Sequence, residues 1–225
     1  MANSPLQQSS FVFFPEEERL RRNIAANPEG FRAAAGKLLA EQNEAIAGRE
    51  ARLRVYAATC AEIADGVGKR METFAQTLPQ SLFGSGDGGA FILPLGMLFE
   101  WLNERKTALG NVLLAISTFW EEERFQTHRV ETVAAVLGDE ALMGEVAAAQ
   151  NRQAAFFARA ETLSARVAEF SEAVIGAFFT GAAEAADLDR NGRQMRFGAI
   201  AKLCGEARHA AETFSAQCRK FHSIP

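Results

Sequence analysis

The sequence predicts an all-α protein in which three very long antiparallel helices, preceded by a short amphipathic one, form an elongated coiled-coil dimer. Three observations predict it. No proline lies between Pro94 and Pro225, so only glycine is left to break helix there. Apolar residues recur at spacings of three and four over long stretches, the period of one helical face. A chain of 225 residues that is 48% hydrophobic can bury a substantial core.

Residues 1–28 read as a flexible tail and a short amphipathic helix, and residues 29–225 as the long-helix domain. The short helix runs from Pro15 to about Ala26, with proline at its tolerated first position and Phe11, Phe13 and Phe14 just ahead of it. Phe31, Ala35, Leu38, Gln42, Ala45, Arg49, Leu53, Tyr56, Cys60, Ile63, Val67, Met71, Phe74 and Leu78 then step by three or four. That pattern predicts one nearly straight helix of about 50 residues. "LPQSLFGSGDGG" (78–89) is a Gly/Ser-rich hairpin loop.

The second helix is expected over about 91–137. Its stripe is Leu98, Leu102, Leu109, Val112, Ile116 and Phe119, with Arg105 the one polar member. Two tryptophans on this side exceed what a lone helix covers. Trp101, Leu102, Leu109, Val112, Leu113, Ile116, Phe119 and Trp120 are therefore assigned to a dimer interface. Gly138 and Asp139 supply the next break, as glycine past a helix end and aspartate at a cap.

Leu142, Val146, Ala149, Gln153, Phe156, Ala160, Leu163, Val167, Phe170, Val174, Ala177 and Gly181 alternate four and three. Such a heptad implies supercoiling against a neighbour. After "DLDRNGRQ" (187–194) the alternation resumes from Phe197 to Phe221. The expectation is one helix over 139–222 kinked near Gly192, with two helices as the alternative. At about 1.5 Å per residue the first two helices reach roughly 70 Å and the third over 100 Å, lengths that call for a second chain.

A net charge of −4 argues against a nucleic-acid binder. Cys60, Cys204 and Cys218 are an odd number without C-x-x-C spacing and read as reduced core residues of a cytoplasmic protein. "PEEERLRR" is too charged for a signal peptide, and the longest apolar run, about ten residues, is too short to span a bilayer. Glu206 and His209 form a single Glu-x-x-His where a di-iron bundle needs two, and the glycines of "GSGDGG" follow no strand. No catalytic residue, metal, cofactor or small-molecule substrate is expected.

"REARLRVYAATCAEIADGVGKRMETFA" (49–75), "MLFEWLNERKTALGNVLLAISTFWEEE" (97–123), "FFARAETLSARVAEFSEAVIGAF" and "IAKLCGEARHAAETFSAQCRKF" resemble the three helices of a BAR domain of the sorting-nexin, retromer type. "FVFFPEEERLRRNIAANPEGF" (11–31) resembles the amphipathic helix that often precedes that domain. The resemblance implies a crescent-like homodimer, or a heterodimer with another BAR protein, that senses or stabilises curvature of an anionic endosomal membrane as a peripheral scaffold. The expected membrane-contact residues are Phe11, Phe13, Phe14, Arg19, Arg21 and Arg22 near the N-terminus. Arg124, Arg129, Arg152 and Arg159 are expected at the tip, and Arg190, Arg193 and Arg196 at the kink. Residues 119–166 hold eight acidic and five basic side chains, against four and seven in 186–225, so a more basic partner would strengthen attachment. Alternative readings are a phasin-like coat of a lipid or polymer granule, and a helical toxin inserting residues 88–99.

Overall fold

The computed structural model describes residues 15–83, 89–121, 127–186 and 193–221, with the side chains of 18–78, 94–120, 129–182 and 198–221 placed. The regular structure among them is helical: α1 (Pro15–Ala26), α2 (Pro28–Phe83), α3 (Gly89–Glu121), α4 (Thr127–Leu137), α5 (Glu140–Phe170), a π turn (Ser171–Gly176), α6 (Ala177–Ala186) and α7 (Arg193–Lys220). The all-α class is as predicted, and α2 is one helix of 56 residues. It runs through Pro79 to Phe83 and α3 starts at Gly89, so both ends of the expected loop over 78–89 are helical, and residues 84–88 lie outside the described residues.

The chain divides into two compact units, Met1–Ala45 with Phe125–Gln153, and Ile46–Arg124 with Ala154–Pro225. This division cuts across the expected split at residue 28, because α1 packs on α4. In the smaller unit Ile24, Leu39, Val130, Val133, Leu142 and Val146 make a buried core. Its helix ends are closed by local side chains. Asn27 caps α2, accepting the Gly30 N–H at 3.1 Å with Pro28 in the first helical position. Gly138, at φ 63°, ends α4 in the left-handed region that favours glycine. The Asp139 N–H donates to the Ala134 carbonyl and the Gly138 N–H to that of Ala135, the paired closure of a Schellman motif. Asp139 then caps α5 by accepting the Leu142 N–H at 3.0 Å. The Gly138–Asp139 break is thus where the sequence put it.

The larger unit is a four-helix arrangement with alternating chain direction. α3 returns along α2: Phe119 meets Tyr56, and Trp101 meets Gly66. α5 and α6 return along α3, with Phe156 edge-on to Phe119 at 5.2 Å and Phe179 4.9 Å from Phe99. The expected single helix over 139–222 is not found. α7 folds back on α6 and the π turn. Phe170 stacks on Phe214 at 4.5 Å, and eleven residues further along α6 a Cβ on Gly181 would lie 2.8 Å from Leu203, eleven residues back along α7. Periodicity reports which face is apolar and not which way the chain runs, so a stripe that continues past residues 187–192 is equally that of two helices packed on each other.

The π turn also corrects the buried register. The strict alternation predicted Ala177 and Gly181 in the core, but one extra residue in the turn moves burial to Phe178 and Ala182, leaving Ala177 exposed. On α2 the buried line Leu53, Ala57, Cys60, Ala64, Val67, Met71, Phe74, Leu78 keeps a seven-residue repeat. Extended back, that repeat buries Leu39 and Ile46 in place of the expected Leu38 and Ala45.

Candidate membrane-contact site

The residues assigned to a dimer interface lie instead within the chain's own core. Leu102, Leu109, Val112, Ile116 and Phe119 are buried, and Trp101 and Leu113 are half-buried against the same cluster. Trp120 is 44% exposed, with its ring 5.7 Å from Phe157. The physical reason is that α2, α5 and α6 already cover this stripe. Arg105 is tolerated on it because the guanidinium lies 4.9 Å over the Trp101 ring and part of the side chain reaches solvent. Its Nε is buried without a hydrogen-bond partner.

The expected cationic contacts are dispersed. Arg19 and Arg21 are exposed, and Arg22 pairs with Glu18 at 2.7 Å. The apolar side of α1 is used internally, since Ile24 is fully buried and Leu20 packs against the smaller core. Arg129 is exposed on α4. Arg152 donates to Asn43 Oδ1 at 3.1 Å, and Arg159 forms an ion pair with Glu50. Arg193 and Arg196 lie in the first turn of α7, with side chains outside the described residues, as are Phe11, Phe13, Phe14, Arg124 and Arg190 altogether. Arg152 and Arg159 of α5 thus serve as links between the parallel helices α2 and α5, and among the described residues the set is not assembled into one basic face.

One end of the larger unit has a composition that charge counting over long windows misses. α2 carries no charged residue from Thr73 to its end at Phe83, α3 none from its start at Gly89 to Phe99, and the α5–α6 segment none from Ala173 to Ala183. Because α3 runs antiparallel to α2 and to the α5–α6 segment, these stretches lie at the same end, where α7 also starts with Arg193 and Arg196. Phe99 joins the two hairpins, lying 6.3 Å edge-on to Phe178 and 4.9 Å from Phe179. Leu95, Leu98, Phe178 and Ala182 are buried, whereas Thr77, Gly96, Met97 and Thr180 are exposed, Met97 by 55%. The available signal was the coincidence of three uncharged runs, but it becomes a site only once the chain reversals are known.

Other chemistries find little support. The three cysteines are buried, and burial pushes the thiols up, Cys60 and Cys218 to about 12 and Cys204 to about 11, which keeps them unreactive. Among the described residues no group of three or more His, Cys, Asp or Glu side chains is placed to hold a metal ion. Among the same residues no helix is long and apolar enough to cross a membrane. Compared with protein-family models, curated proteins and solved structures, the chain finds no match in any of the three.

Proposed function

We propose that this chain is a non-enzymatic helical protein that attaches peripherally to membranes, seating in one leaflet the uncharged stretches of α2, α3 and α6 that meet at one end of its larger unit. The observation that supports the reading is the meeting of three eleven-residue uncharged helical stretches at one end of the bundle. Eleven helical residues rise about 16 Å, roughly half the hydrocarbon thickness, so such stretches can enter one leaflet and cannot span two. Within the three stretches no Lys, Arg, Asp or Glu brings a desolvation cost, while Glu184 of α6 and Arg193 and Arg196 of α7, which adjoin them, are charges suited to the headgroups. The wider expectation of membrane association is kept, and its crescent geometry is not, because the α3 stripe that a crescent dimer would share is filled within one chain.

The test is co-sedimentation with phosphatidylcholine vesicles, with and without phosphatidylserine. The triple variant Thr77→Glu, Met97→Glu, Thr180→Glu places carboxylates at exposed positions only, so it is expected to fold normally and to lose vesicle binding at least tenfold. Binding that is unchanged in the triple variant contradicts the reading. Release of trapped dye by the wild type would extend it from attachment to insertion of the toxin kind.

A further inference from the structure

We propose, resting on the membrane attachment inferred above, that Met97 is a site of reversible oxidation, and that a hydroperoxide releases the protein from lipid by turning its thioether into a sulfoxide. Among the described residues Met97 is the one large apolar side chain that is exposed within the three uncharged stretches. Leu95 and Leu98 beside it turn inward. Gly96 has no side chain, and a Cβ there would meet no atom within 4 Å, so the surface around the thioether is open. A dissolved oxidant therefore reaches Met97 in the free protein, and lipid reaches it in the attached one.

Oxidation is a two-electron step. The sulfur lone pair attacks one oxygen of the hydroperoxide, the O–O bond breaks as the S–O bond forms, and the peroxide is reduced to water or an alcohol. A thiol-dependent sulfoxide reductase reverses it, returning the thioether and releasing water while two thiols close to a disulfide. The product is polar where the reactant was apolar, and the change is costly in lipid because the nearby hydroxyls are committed. Thr73, Thr77 and Thr180, exposed in the same stretches, donate to the carbonyls of Lys69, Thr73 and Gly176 in their own helices, at 2.9, 3.1 and 3.2 Å. A sulfoxide oxygen only accepts, and these donors are already in use. Position singles out Met97 among the methionines. Met71 is fully buried, and Met143, though exposed, belongs to the smaller unit.

The test treats the full chain with hydrogen peroxide, locates the added oxygen by peptide mass spectrometry, and measures co-sedimentation with vesicles of phosphatidylcholine and phosphatidylserine before and after. The oxidised protein is expected to keep its helicity and melting and to bind about tenfold more weakly, as a polar group without a partner does in an apolar medium. Treatment with a methionine sulfoxide reductase should restore the binding. Met97→Leu should bind to the same extent with and without peroxide, whereas Met143→Leu/Met195→Leu should stay as peroxide-sensitive as the wild type. Vesicles present during the treatment should slow oxygen addition at Met97 and leave that at Met143 unchanged. A protein that binds vesicles equally before and after full oxidation of Met97 overturns the proposal and leaves the membrane attachment standing, as does peroxide sensitivity that persists in Met97→Leu. An untreated protein that binds no vesicles overturns both.

Discussion

The two ends of α2 are finished in opposite ways. Where it starts, Asn27 closes the first turn through the Gly30 N–H, and Arg32 reaches the carboxylate of Asp139, itself the cap of α5. That end satisfies its backbone and charges with its own side chains, as a water-facing helix start does. Where α2 finishes, its last eleven residues carry no charge and lie beside two other uncharged stretches. The difference teaches that the helix is not uniform along its length: one end is closed by caps and ion pairs, and the other does without charge, as the proposed seating in lipid requires.

The largest expected effect comes from breaking the larger unit's core. Ile116→Glu buries a carboxylate without a partner and should destabilise by several kcal/mol, and Phe119→Ala by about 3–5 kcal/mol, both seen as an early denaturation midpoint. Dissociation of a dimer without loss of fold would instead make the buried stripe an interface. A middle range belongs to the closures of the smaller unit. Gly138→Ala forces a side chain into the left-handed region at a cost of about 1–2 kcal/mol, and Asn27→Ala removes a cap worth about 1 kcal/mol. Either change should leave vesicle binding intact.

A pH series sharpens the contrast further. The Leu142 N–H, and after it Arg32, hold the Asp139 carboxyl below its ordinary range. The sign follows from a folded value lower than the unfolded one: the contribution is fully present above about pH 4, and is lost as pH falls through the folded value. Thermal melts should therefore drop in that acid window, and Asp139→Asn, which keeps a cap, should flatten this part of the drop. The smallest effect on stability, within about 0.5 kcal/mol, is expected from Thr77→Glu, Met97→Glu and Thr180→Glu singly, since each position is exposed.

Much of the secondary structure was legible. Pro15 and Ala26 bound α1 as expected, the stripe from Phe31 to Leu78 forecast one long helix, and Gly138 with Asp139 marked a real break. What periodicity could not carry was direction. The apolar line through Val174 and on to Ile200 reads alike for a kinked rod and for a hairpin, and only the hairpin supplies intrachain cover for Phe170 and Phe214. The same ambiguity turned Leu102, Leu109 and Ile116 into an interface, because helix lengths with no visible cover seemed to require a second chain. The one-residue shift to Phe178 depends on a π turn that has no distinctive residue signature in "SEAVIG". Among the site residues, the arginines were found as charges but not as pairs: Arg159 and Glu50 are 109 positions apart and meet only because α2 and α5 run parallel.

Two exposed methionines offer the most direct measurement, because Met97 lies in the uncharged stretch of α3 in the larger unit and Met143 on α5 of the smaller one, 55% and 44% exposed. Met97→Cys and Met143→Cys, each labelled with an environment-sensitive fluorophore, report the two places separately, since the native cysteines are buried. On vesicles carrying nitroxide-labelled acyl chains, the label at position 97 should shift to the blue and be quenched, while the label at position 143 keeps its aqueous spectrum. A bound protein whose label at position 97 stays in water, or whose label at position 143 enters the lipid, would contradict the account.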